Sequence, residues 1–166
     1  MIILGIDPGL RKTGWGIIEK NGSRLSFVGS GLIKTQSSET LPHRLTVLHE
    51  GLSEIIRQWT PDEAAMEETF VNRNPQDALK LGQARGALLA VPARHGLECA
   101  EYATNKIKKS VVGVGHANKD QIGLMVKTLL PTCGKISEDE ADALAVAITH
   151  AHYSGINKQI MNMVSA

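Results

Sequence analysis

Several familiar routes to a function are closed by what this chain has little of. It holds two cysteines, Cys99 and Cys133. They share no metal-ligand spacing, so they read as ordinary thiols of a reducing compartment and do not support a zinc site. No apolar run reaches the roughly 18 residues that span a bilayer. No basic segment precedes the first apolar run, so no signal peptide is expected and the reading is cytoplasmic. The net charge is only +1, which excludes a protein coated in positive charge. There is no internal repeat, no linker that would split the chain, and no Ser/His/Asp constellation for a covalent mechanism.

What is present is one domain's worth of ordinary globular sequence. At 166 residues the chain is long enough to bury a core without staples. Strands are expected at 2–6, 13–19 and 25–33, the last two joined at the Asn21-Gly22 hairpin signal. Leu41, Leu45, Leu48, Leu52, Ile55, Ile56 and Trp59 recur at helical spacing and predict a helix over 41–59. Thr60-Pro61-Asp62 ends it, and a fourth strand runs to Glu67. A helix over 76–91, a short strand over 97–102, and helices over 104–111, 118–130 and 138–153 follow. Residues 1–153 then form a single domain and 154–166 a flexible C-terminal tail. The element order is that of an α/β protein with a mixed five-stranded sheet flanked by helices.

Four acidic residues fall where strands end or a helix begins. Asp7 closes the run Ile2-Ile3-Leu4-Gly5-Ile6, and Glu67 closes Ala64-Ala65-Met66. Asp139 and Asp142, three apart, share a face in the first turn of the last helix. Each also has a plain structural reading. Asp7-Pro8-Gly9 is a good β-turn, and Asp139 or Ser137 is a good helix N-cap. Side chains alternate along a strand, so only one of Glu67 and Glu68 points to any site, and periodicity does not decide which. If these ends meet, like charges at short range demand cations. That predicts Mg²⁺ or Mn²⁺, and with them phosphoryl-transfer chemistry.

Charge distribution agrees with a nucleic-acid substrate. Residues 71–130 carry nine Lys/Arg and four acids, whereas 137–142 carry four acids and no base. A basic stretch to draw in phosphate beside an acidic cluster to hold metal suits a nuclease, although a solvated helix face also explains the basic stretch. His116 reads as a loop residue, and His150 and His152 lie too far down the last helix to reach Asp139. Two rival classes have weaker support. The glycine turn from Asp7 to Gly16 also suits the phosphate loop of actin-like ATPases and sugar kinases, but those need a longer, two-lobed chain. A catalytically dead binding protein would not need all four acids.

With those acids in place, the chain closely resembles the RuvC family of Holliday-junction resolvases. The resemblance rests on Gly5-Ile6-Asp7-Pro8-Gly9 with Thr13-Gly14-Trp15-Gly16, then Glu67 with Phe70. It continues in Ala78-Leu79-Lys80-Leu81-Gly82-Gln83-Ala84-Arg85-Gly86, Val111-Val112-Gly113 and Asp142-Ala143-Leu144-Ala145. It implies a ribonuclease-H-like fold and a homodimer. The implied activity is metal-dependent nicking of two strands of like polarity at a four-way DNA junction, with the RuvA–RuvB branch-migration complex as a partner. Asp7, Glu67, Asp139 and Asp142 match the family's catalytic acids, which selects Glu67 over Glu68. They would hold two Mg²⁺ per site, with Mn²⁺ as a substitute. Lys108 and Lys119 match family lysines that face DNA. Arg73, Lys80, Arg85 and Lys106 of the basic stretch join them as expected DNA contacts. Phe70, among polar neighbours, is expected to stack on or wedge a base at the junction centre. Glu68 and Glu140 depart from the family pattern and add negative charge near the site.

Overall fold

The chain alternates strands and helices: β1 (Ile2–Asp7), β2 (Lys12–Asn21), β3 (Arg24–Lys34), α1 (Leu41–Trp59), β4 (Glu63–Glu68), α2 (Pro75–Arg94), β5 (Cys99–Ala103), α3 (Thr104–Val112), α4 (Lys119–Leu129) and α5 (Glu138–Val164). The computed structural model describes residues 1–68 and 74–164, with side chains as far as Ser154. The strands form one sheet in the order β3-β2-β1-β4-β5. β1, β2 and β3 are antiparallel neighbours, as hairpin connections dictate. β4 and β5 join parallel, after helical crossovers.

β1 is central and covered on both faces, so its residues are apolar in succession rather than alternately. Leu4 and Ile6 pack with Leu48, Leu52 and Leu88 of α1 and α2. Ile3, one residue before Leu4 and so on the other face, joins Leu144 and Ile148 of α5, where α3 and α4 also pack. The result is three layers: α1 and α2, the sheet, then α3, α4 and α5. Among the described residues no helix is long and apolar enough to cross a membrane.

α5 lies almost backbone to backbone on β1 and β2. A Cβ on Gly5 would stand 2.1 Å from the Ala143 carbonyl oxygen, and one on Gly14 would stand 2.1 Å from that of Asp139. These glycines therefore supply absence of volume rather than conformational freedom. The start of α5 is fixed a second way. Ser137 Oγ accepts from the Glu140 N–H at 3.4 Å, and Glu140 Oε2 accepts from the Ser137 N–H at 2.9 Å. This is a reciprocal capping box. Glu140 Oε1 also accepts from Ser30 Oγ of β3 at 2.9 Å. Glu140 thus ties the helix end to the sheet, a more specific role than the diffuse negative charge expected for it.

Two boundaries differ from expectation. α2 runs through Pro92 to Arg94: the proline gives up its own bond to the preceding turn, and it is held there as a buried residue of the helix's inner face. α5 does not stop at 153 but continues to Val164. That stretch contains no proline, and its one glycine, Gly155, costs only about 1 kcal/mol relative to alanine.

Gly14→Ala is expected to lower the thermal midpoint by an amount equivalent to about 1–3 kcal/mol, the usual range for overpacking. Calorimetry of the purified variant checks it. Glu140→Ala is expected to cost about 1 kcal/mol through loss of the cap. Burial raises the Glu140 carboxyl, but hydrogen bonds from Ser137 and Ser30, with Lys34 nearby, outweigh it and hold it below its ordinary 4.5. Its contribution is therefore complete above that value and fades as pH falls through the lower folded one. Denaturation curves at neutral and acid pH should show the gap between wild type and Glu140→Ala narrowing in acid.

Candidate active site

Asp7 ends β1 and pairs in register with Gly14 of β2. Since Gly14 is where the Asp139 backbone touches the sheet, the start of α5 is set directly over the end of β1. Asp142 lies one helical turn further on, on the same face.

Glu67 approaches from the other side. β4 runs parallel to β1 with Met66 opposite Ile6, so Glu67 and Asp7 continue the two strands side by side. Orientation follows from the cores. Ala64 and Met66 pack toward α1 and α2, and Ala65 packs toward α5. Alternation then puts Glu67 on the α5 face with Asp7, and Glu68 on the opposite face. This geometric argument reaches the same choice of glutamate as the family motif, independently of it.

The electrostatics record the convergence. Burial, then the negative charges of Glu67, Asp142 and Asp139, push the Asp7 carboxyl up to about 8, against a lowering pull from Lys119. Burial raises Asp142 to about 6, with Lys119 opposing and Glu67, Asp139 and Glu138 adding to the rise. A metal-free folded chain therefore holds protons here that an unfolded chain releases. Stability from this pair is fully present below about 4 and is lost as pH rises through the raised folded values.

The donor set fits hard divalent cations. It is made of carboxylate oxygens, without thiolate or imidazole, as Mg²⁺ and Mn²⁺ prefer. Among the described residues no three His, Cys, Asp or Glu side chains already stand in a metal-holding arrangement.

The expected DNA contacts divide. Lys119 is exposed and stands 3.0 Å from Glu138 and 3.9 Å from Asp142. It lines a cleft of about 290 Å³ between α4 and the start of α5, together with Lys127, Leu124, Ile136 and Asp142. Lys80 is exposed on α2 and Lys108 is half-buried on α3. Lys106 lies over the rings of Tyr102 and Tyr153, 5.0 and 4.3 Å from their centroids. Arg85 is turned inward: its Nε donates to the Glu67 carbonyl at 3.3 Å, and its guanidinium pairs with Glu101. Phe70 and Arg73 lie outside the described residues. His150, on the buried face of α5, is engaged by Glu63 at 2.8 Å and by Tyr102 at 2.9 Å.

Sequence reasoning missed two contributors. Thr13, fully buried, locks the turn after Asp7 by donating to the Gly9 carbonyl at 2.8 Å. Thr104 donates to Glu67 Oε1 at 2.5 Å. Neither carries a local signal. The Ser137-x-x-Glu140 cap did carry one, being a capping-box pattern before an apolar run.

Comparison with known proteins places this geometry. The family model for crossover junction endodeoxyribonuclease RuvC matches residues 3–150. The crossover junction endodeoxyribonuclease RuvC of Paramagnetospirillum magneticum is 54% identical over 165 residues, covering 99% of each chain. That of Methylocella silvestris is 62% identical over 149 residues, covering 90% of this chain and 85% of its own. Among solved structures, Thermus thermophilus RuvC in complex with a Holliday junction substrate superposes with a TM-score of 0.87 at 31% identity, over 95% of this chain and 96% of its own. The sheet and its helices have the ribonuclease-H-like fold of those neighbours. On these grounds the chain belongs to the RuvC family of crossover junction endodeoxyribonucleases.

Proposed function

We propose that this protein resolves four-way DNA junctions in recombination and repair, nicking two strands of like polarity at symmetric positions in a reaction that depends on divalent metal. One observation carries the reading: a buried carboxylate at the end of the central strand, Asp7, raised to about 8 by burial and three acidic neighbours. Such a group stays ionised at neutral pH only with added positive charge beside it. Family membership supplies the substrate class.

Asp7, Glu67, Asp139 and Asp142 would hold two Mg²⁺, or Mn²⁺ in their place. When bound, the metal supplies an activated water and neutralises charge on the leaving oxygen. The chain's own part is positioning. β1 and β4 fix Asp7 and Glu67 as neighbours, and the capped end of α5 fixes the other two acids. Lys119 places a positive charge at the mouth of the cluster, where a phosphate backbone would pass through the adjoining cleft. Lys80 and Lys108 extend that positive surface. Among these, Lys119 is the contact best supported by geometry, whereas the inward partners of Arg85 give it a supporting role instead.

Two symmetric nicks call for two sites related by a two-fold axis, which a cyclic homodimer provides. α2 buries Ala84, Leu88 and Val91 against its own core. Its small residues Gly82, Gly86 and Ala90 are exposed instead, and a Cβ on Gly82 or Gly86 would meet nothing within 4 Å. They therefore do not serve packing on the sheet. With Leu79, 65% exposed on the same helix, they form the surface we assign to the dimer. The RuvA–RuvB complex as partner and a cytoplasmic site of action follow from the same reading.

Wild-type protein should cut an end-labelled mobile junction in Mg²⁺ and not in EDTA, leaving paired, ligatable nicks. Asp7→Asn should bind the junction and leave it intact. In EDTA at pH 8 the same variant should melt above wild type, because a buried charge is gone, and Mg²⁺ should raise its midpoint less. Cleavage by Asp7→Asn, or a lower midpoint in EDTA, would count against this assignment. Gly86→Trp should keep the thermal midpoint of the folded chain yet run as a monomer in light scattering. A dimer surviving that substitution would move the interface elsewhere.

A further inference from the structure

Glu67 differs from the other three acids. It is the one glutamate, with an extra rotatable bond to be fixed before its carboxylate can act, and it stands next to last in its strand. The structure holds it at both ends. Its carbonyl accepts from Arg85 Nε at 3.3 Å, and Arg85 is itself held by Glu101. Its carboxylate accepts from Thr104 Oγ1 at 2.5 Å through Oε1. Among the described residues no donor engages Oε2.

The placement of Thr104 is a product of the sheet. β5 runs parallel to β4 with Tyr102 opposite Glu67 and Ala103 opposite Glu68. The chain then turns directly into α3, whose first residue is Thr104. A threonine at a helix start commonly turns its hydroxyl to the helix's own N–H groups. Here the capping position is Ala103, without a side-chain bond, and the Thr104 hydroxyl is directed at the acid instead.

We propose that Thr104 is a positioning residue for Glu67: its hydroxyl fixes one carboxylate oxygen and leaves the other for the metal. This rests on the reading of Glu67 as a metal-holding acid. A hydroxyl that orients a ligand contributes to metal affinity by sparing the ligand that ordering on binding, and such supporting contacts are typically worth ten-fold or more.

The test compares Thr104→Val, which keeps the shape and removes the hydroxyl, with Thr104→Ser, which keeps the hydroxyl. Mn²⁺ binding to the free protein is measured by titration calorimetry, junction affinity is measured in EDTA, and cleavage is followed across a Mg²⁺ series. Thr104→Val should weaken Mn²⁺ binding about 10-fold. It should lower the cleavage rate at limiting Mg²⁺ and leave junction affinity and the thermal midpoint in EDTA unchanged. Thr104→Ser should restore metal binding and rate. Wild-type metal binding in Thr104→Val, or a Thr104→Ser variant as impaired as Thr104→Val, overturns the proposal. If wild type binds Mn²⁺ but cuts no junction, the nuclease reading falls, and the Mn²⁺ comparison still decides Thr104. Wild type that binds no divalent metal overturns both.

Discussion

The close approach of α5 to β1 and β2 is the constraint on which the rest of the structure depends. It is a contact between backbones, at Gly5 with Ala143 and at Gly14 with Asp139. Glycine inside a strand weakens it by roughly 0.5–1 kcal/mol relative to alanine. That cost is offset by what the contact admits: a buried helix, Ala143 through Ile148 fully covered, completing one core of the sheet. The same contact sets where two acids stand. Side-chain packing tolerates adjustment of a few tenths of an ångström, whereas touching main chains leave little freedom, so the spacing of Asp139 from Asp7 is inherited from the sheet.

The site works against the fold that carries it. A carboxyl pushed to about 8 by burial and by its acidic neighbours is a group that the metal-free structure would rather keep protonated. Neighbouring devices offset that opposition: Thr13 closes the turn after Asp7, and Ser137, Glu140 and Ser30 anchor the helix end. Glu140 shows how position differs from proximity in sequence. It lies between two of the clustered acids, yet it turns to β3 and has a lowered carboxyl, opposite in direction to Asp142.

Much of this was readable from residues alone, and the failures have physical reasons. β1 was legible because a strand covered on both faces must be apolar throughout, and α1 because seven large residues repeat at helical spacing. The four acids were legible because each ends or opens an element. The face of Glu67 was not, since alternation within one strand fixes only relative orientation; the neighbouring cores were needed to anchor it. The outward turn of Gly82 and Gly86 was equally hidden, because small residues suit a close contact with any partner. Charge counting did not reveal the partners that two residues of the basic stretch take within the chain: Arg85 supports a main-chain carbonyl and Lys106 rests on two tyrosine rings. Thr104 meets Glu67 only through the parallel pairing of β4 and β5, a relation between segments 37 residues apart.

The acids of the cluster come from opposite ends of the described chain, Asp7 from the first strand and Asp142 from the last helix. A chain emerging from the ribosome displays Asp7 early, completes the first hairpin locally, and still lacks half of its carboxylates until α5 has been made and has docked. Synthesis order thereby acts as a safety catch. The growing polypeptide, or a fragment of it left by a stalled ribosome, would lack two of the four acids proposed to hold metal, and with them the means to nick DNA.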